Sequence, residues 1–214
     1  MDLHLWTAYL IACLLIAVSP GSGAVLSMSH GMAYGVRRTS VTIAGLQIGL
    51  AAVLLTAGAG VGSLLVASEI GFNIVKTLGA LYLIWIGFRQ WTEKVQAPDE
   101  GADALPAAAA PGWRGRLAIG FLTNVTNPKG ILFMVAVLPQ FIRPDRPLAL
   151  QLLVMTVTMC GVDTLVMHGY AFAGGGLQRL LRNARAAKVR NRVFGGLLMG
   201  VGAGLFFVKR HHGV

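Results

Sequence analysis

The chain has 214 residues, of which 55% are hydrophobic and 12% charged, with a formal net charge of +10. Soluble domains carry about a quarter charged residues, so this composition excludes an ordinary water-soluble fold. The basic excess does not make a nucleic-acid surface either, because the lysines and arginines sit between apolar blocks instead of on one folded face.

A membrane-crossing helix needs about 20 mostly apolar residues, and six blocks meet or approach that length. The first, Leu5 to Leu26, is interrupted by Ser19-Pro20-Gly21-Ser22-Gly23. It follows Asp2 and His4 in place of a basic segment and shows no small-residue cleavage site, so a mature span is expected rather than a secretory signal. Arg37 and Arg38 precede the second block, Val41 to Val66, which carries Gln47. After Ser68-Glu69 comes the third, Ile70 to Phe88, with Lys76 expected to snorkel or pack near the outer end of its span. In the polar stretch from Trp91 to Arg116, the segment Ala97 to Gly112 is rich in Ala, Pro and acidic residues and reads as disordered. The fourth block, Leu117 to Phe141, is interrupted by Asn127-Pro128-Lys129-Gly130. Arg143 to Pro147 lead into the fifth, Leu148 to Ala173, which holds Asp163 and His168. The polar stretch Gly175 to Arg192 precedes the short sixth, Val193 to Val208.

The expected fold is therefore an all-α membrane protein of six transmembrane helices, a single integral membrane domain over 1–214. Twelve lysines and arginines lie on one side of the spans and four (Arg143, Arg146, Lys209, Arg210) on the other. The positive-inside rule places the twelve in the cytoplasm and both termini outside.

Pro20 and Pro128 stand 108 residues apart, about half the chain. Proline removes a backbone donor and clashes with the preceding turn, so helices 1 and 4 are expected to break there. Gly79-Ala80-Leu81 in the third block is weakly matched by Gly195-Gly196-Leu197 in the sixth. Three spans per half then suggest two inverted three-helix repeats: repeat one 1–91, a flexible loop 92–116, and repeat two 117–214. Paired breaks at corresponding positions point to a transport site.

Several stretches carry a family resemblance: Ser19 to Ala24, Ala44 to Leu50, Gly79 to Trp85, Leu122 to Lys129, Leu138-Pro139-Gln140-Phe141 and Gly169-Tyr170-Ala171. Together they resemble the lysine and homoserine/threonine exporter family over almost the full length. Much of that family has Pro-Gly-Pro where this chain has Pro20-Gly21-Ser22, which favours its homoserine branch over the lysine exporters. The resemblance implies a proton-driven efflux carrier of the bacterial inner membrane, not an enzyme. It implies small amino acids and protons as partners in a lipid bilayer, no nucleic acid and no cofactor, and it leaves homo-oligomer formation open.

Ionisable groups inside a bilayer are expensive, so Asp163, Lys129 and Lys76 each need a reason to be there. Asp163 lies midway through the fifth block, and Thr156, Cys160 and Tyr170 share its helical face. It is the candidate for proton coupling or for the countercharge to a substrate ammonium, since an apolar setting favours the neutral form of a carboxyl. The alternative is a structural pair with Lys129. Lys129 follows Pro128, where a restarting helix presents unpaired N–H groups to a carboxylate. Ser19, Pro20, Gly21 and Ser22 are expected to supply the matching donor set, and Gln47, Asn124, Asn127 and Pro128 complete the candidate substrate site. For the three amides, satisfying opened backbone is the competing role.

Glycine recurs every fourth residue at Gly45 and Gly49, at Gly58 and Gly62, and at Gly196, Gly200 and Gly204, the pattern of close helix contact. Trp6, Trp85, Trp91 and Trp113 suit interfacial belts. His168 is five positions from Asp163, on another face; His4, His30, His211 and His212 lie near interfaces or termini, with no spacing that closes a metal site. Two other classes stay open: a channel without proton coupling, and a thiol electron carrier. Cys13 and Cys160, 147 residues apart, do not follow the 108-residue repeat.

Overall fold

The computed structural model describes residues 1–67, 69–92, 111–143, 145–174 and 184–205, and every regular element among them is helical. In chain order these are α1 (Leu3–Val18), α2 (Ser22–Tyr34), α3 (Val36–Ala67), α4 (Glu69–Thr92), α5 (Trp113–Val125), α6 (Pro128–Val137), a 3₁₀ turn (Leu138–Gln140), α7 (Leu148–Phe172) and α8 (Ala184–Leu205). Two are long and apolar enough to cross a membrane alone, α3 over Val36–Gly60 and α7. Two bent pairs also qualify: α1 with α2, at 56°, and α5 with α6 and its 3₁₀ turn, at 52°. In α4 the apolar segment is the shorter Thr77–Arg89. Most of the expected disordered segment (97–110), the side chain of Lys76 and the end of the sixth block (206–208) lie outside the described residues.

Both bends sit where the prolines predict them, and for the same local reason. A residue before proline is driven out of the helical region by the ring. Ser19 is extended (φ −69°, ψ 115°), and so is Asn127 (φ −75°, ψ 103°). Pro128 then opens α6 from its first position, where no N–H is needed, whereas Pro20 stays in the gap and α2 begins two residues later. A single residue, Gly35, reverses the chain between α2 and α3; its φ of +75° is open to glycine at little steric cost.

Glycines set how closely the helices approach. On α3, Gly45 and Gly49 lie against the α5 backbone at Leu117 and Phe121, and Gly120 of α5 lies in return against the α3 backbone between Thr42 and Leu46. Both chains advance by four residues between these contacts, so the pair runs parallel. Gly31 of α2 presses on the Ala171 backbone, while Tyr9 of α1 donates to Met155 O at 3.2 Å. The first broken helix is thus parallel to α7. In contrast, α4 and α8 cross antiparallel: a Cβ at Gly87 would stand 2.5 Å from Gly195 O, and one at Gly195 would stand 2.5 Å from Gly87 O. Seven residues away in opposite directions, Gly202 meets Ala80 O. Among the described glycines of α8, Gly195 and Gly202 are therefore the ones that meet the α4 backbone. The expected series is corrected at Gly200, which has open space beside it, while Gly196 does lie close to α4, against the Trp91 ring.

The end of the bundle that holds the chain start is tied by charge. Asp2 accepts from Arg143 at 2.5 Å and from Arg146 at 2.9 Å, and Arg143 also pairs with Asp145 at 3.2 Å. Arg143 and Asp145 reinforce each other's charge: the carboxyl is held below the usual range by hydrogen bonding to the guanidinium, which is itself raised. Beneath them the buried Gln151 side chain accepts from Arg143 N and donates to the carbonyls of Arg143 and Arg146.

The α4–α8 crossing yields a sharp contrast. Gly195→Ala forces a methyl into the Gly87 backbone and should lower stability by about 1–3 kcal/mol, the usual cost of overpacking. Gly200→Ala should leave it unchanged; thermal unfolding of the detergent-purified variants checks the pair.

Candidate functional site

The two bends face one another across a cavity of about 60 Å³. Its polar wall is made by Ser19, Gly21, Asn124, Asn127, Lys129 and Asp163; its apolar wall includes Leu46, Leu50, Met134, Met159 and Met167. Of the residues expected from sequence, these six are brought together. Gln47 is not on the wall but holds Asp163 from behind, and Pro20, Ser22 and Pro128 shape the bends without lining the cavity.

Each polar wall group has a definite partner. Asp163, only 8% exposed, accepts from Gln47 Nε2 at 2.8 Å. Lys129 Nζ crosses to the other break, donating to Ser19 Oγ at 2.5 Å and to Ser19 O at 3.4 Å. No ion pair joins Asp163 to Lys129 among the described residues, so the structural pairing weighed from sequence gives way to two charge–dipole contacts. Asn124 Nδ2 donates to Leu46 O at 2.8 Å, a contact that the close α3–α5 packing at Gly45, Gly49 and Gly120 permits.

One of the N–H groups expected to be free at the fourth-span break is taken. The amide of Lys129 is not unpaired: Asn127 Oδ1 caps it at 3.2 Å. Asn is a preferred helix N-cap because its side-chain oxygen takes one of the first free N–H groups. The opposite holds at α2, whose N-cap is Gly21 and which has no side-chain cap. The first N–H groups of α2 therefore begin a helix without that cap, with Gly21, Gly23 and Ala24 on the cavity wall. Helix starts of this kind favour anions.

Met159 and Met167 went unremarked in the sequence. They lie four residues before and after Asp163, so helical periodicity alone puts them on its face. Ser27 was missed too; its hydroxyl is fully buried without a partner among the described residues, and nothing in local sequence marks it. Thr156 Oγ1 and Gln47 Oε1 are likewise buried without partners among the described residues, while Cys160 Sγ lies 3.8 Å from Gln47 O and Tyr170 donates to Val18 O at 2.6 Å. His30, expected near an interface, is instead buried against Thr42 at 2.7 Å with its ring edge-on to Tyr34. His168 bridges Thr164 O and Ser40 Oγ, away from Asp163. No group of His, Cys, Asp and Glu able to hold a metal occurs among the described residues.

Bent apolar helices around a small cavity of mixed polar and apolar lining define a membrane protein suited to handling a small solute within the bilayer. The comparisons make this specific. The LysE type translocator family matches residues 14–208, and the chain belongs to that family; it is a translocator, not an enzyme. It is 40% identical to a homoserine/homoserine lactone efflux protein of Salmonella typhi, over 99% of this chain and all of that one. It is 38% identical to an uncharacterized membrane protein of Vibrio cholerae, over 94% and 96% of the two chains, and 31% identical to a leucine efflux protein of an Enterobacter strain, over 95% of each. No solved structure matches the chain.

The cap at Asn127 can be weighed directly. Asn127→Ala should destabilise the protein by about 0.5–2 kcal/mol, and Asn127→Ser, which keeps an acceptor, by much less; thermal unfolding of the two variants provides the comparison.

Proposed function

We propose that this translocator exports small amino acids (homoserine, homoserine lactone and threonine-like solutes) across the bacterial inner membrane, driven by proton entry. The observation that carries the reading is the meeting of two helix breaks, 108 residues apart, at one cavity that also holds Asp163. The efflux activities printed for the Salmonella and Enterobacter relatives supply the solute class.

The architecture in this proposal is six spans arranged as two inverted three-helix repeats, with both termini outside. Three features support it. Gly87 and Gly195, which touch reciprocally, are separated by the same 108 residues as Pro20 and Pro128, a register that replaces the weak match of Gly195 to Gly79, whose offset is 116. Equivalent residues of two inverted repeats meet in this way only near their symmetry axis. The first broken helix runs parallel to α7, and the second runs parallel to α3, the corresponding exchange of partners. Asp2 shares one end of the bundle with Arg143 and Arg146, the cation-poor side that the positive-inside rule puts outside.

Within the cavity, the uncapped start of α2 with Ser22 is suited to a carboxylate, and Lys129 can add its charge. Gln47, Asn124, Asn127 and the two prolines hold the breaks in shape. Asp163 carries the coupling proton, and its Gln47 partner serves both the charged and the neutral carboxyl. A cavity of about 60 Å³ admits a few waters, at roughly 10–15 Å³ each, and must widen to take an amino acid. Alternating access about the two bends provides that widening. One charge crossing 100 mV releases about 2.3 kcal/mol, enough for roughly a fifty-fold gradient of a neutral zwitterion.

In proteoliposomes with an imposed pH gradient, the wild type should accumulate homoserine against its gradient. Asp163→Asn should insert normally, lose at least about 90% of uphill transport and retain exchange. Full proton-driven transport in that variant removes Asp163 from the mechanism, and flux in the wild type that ignores the pH gradient favours a channel.

A further inference from the structure

The strongest polar contact across the cavity joins the two breaks to each other. Lys129 Nζ, on the second, donates to both the hydroxyl and the carbonyl oxygen of Ser19, the residue that ends α1. The Ser19 amide is spent on Leu15 O, but its carbonyl lies at the carboxyl end of a helix, where no intrahelical donor follows and the dipole favours a cation. Pro20 next to it has no N–H to offer. Ser19 is therefore a two-oxygen cradle with an ammonium already seated on it.

That ammonium is chemically the same group as the α-ammonium of an amino acid, a compact cation with three donors. Immediately beyond Pro20, the uncapped start of α2 opens on the same cavity. One break thus presents a carbonyl end and an amide end side by side, the complement of a zwitterion. Asp163, on the same cavity, is engaged by Gln47 and not by Lys129, so it does not compete for the lysine.

We propose that Ser19 O and Oγ form the ammonium subsite of this translocator, and that Lys129 occupies it as a tethered mimic of the substrate, which an incoming amino acid displaces. The proposal rests on the amino-acid reading above. Displacement moves the Lys129 charge off Ser19 and leaves it beside the substrate carboxylate. A ligand with an ammonium and no carboxylate, such as homoserine lactone, competes with Lys129 without that compensation.

The test is ligand binding by the purified full-length protein, measured by calorimetry with homoserine and homoserine lactone. Removing the tethered ammonium with Lys129→Met should tighten lactone binding at least about tenfold and leave homoserine unchanged or weaker, so the preference between the two ligands shifts toward the lactone by tightening. Lys129→Gln, which keeps donors without the charge, should move the same way and reads the effect if the Met variant does not fold. Ser19→Ala should weaken both ligands. Unchanged lactone affinity with weaker homoserine would make Lys129 a simple carboxylate partner and overturn the proposal, as would parallel weakening of both ligands in the lysine variants. Absence of binding by either ligand to the wild type would instead sink the amino-acid reading beneath it.

Discussion

Two prolines inside apolar helices leave backbone groups that lipid cannot satisfy, and the polar contacts around Ser19, Asn127 and Lys129 answer that constraint. An unpaired carbonyl or amide in hydrocarbon costs several kcal/mol. Lys129 meets the carbonyl of Ser19, and Asn127 meets the amide of Lys129. Each repair brings a polar side chain to the same depth of the bundle. The cavity is the space these groups enclose, so the interruptions and the site are one feature.

Close packing decides whether the repairs reach. Gly45, Gly49 and Gly120 let α3 and α5 touch backbone to backbone, and one turn beyond Gly120 the amide of Asn124 arrives at Leu46 O. In lipid no hydrophobic force draws helices together, so small residues and interhelical hydrogen bonds must hold the bundle. The same economy appears where Gly87 meets Gly195, and at the charged end, where Asp2 ties the start of α1 to the turn before α7 through Arg143 and Arg146.

Under the proposed export cycle, keeping Asp163 and Lys129 on separate neutral partners has a consequence. Removing one member of a buried ion pair typically costs 3–5 kcal/mol because the other charge is stranded. A carrier built on such a pair would face that cost in every cycle. Amide and hydroxyl partners can be exchanged for a substrate's own groups at smaller cost, which suits a site that must fill and empty repeatedly.

The sequence by itself determined the helical class and both break points, and it singled out Asp163 as a buried carboxyl that needs a reason. Apolar length, proline sterics and the expense of a carboxylate in lipid are local properties, legible residue by residue. Partners belonged to the tertiary structure: Gln47 and not Lys129 on Asp163, Asn127 capping Lys129, His30 buried on Thr42, and Gly195 with Gly202, not Gly200, against the α4 backbone. Fourfold spacing names every face of a helix equally well, and only the neighbouring helix settles which face turns inward and which polar group meets which.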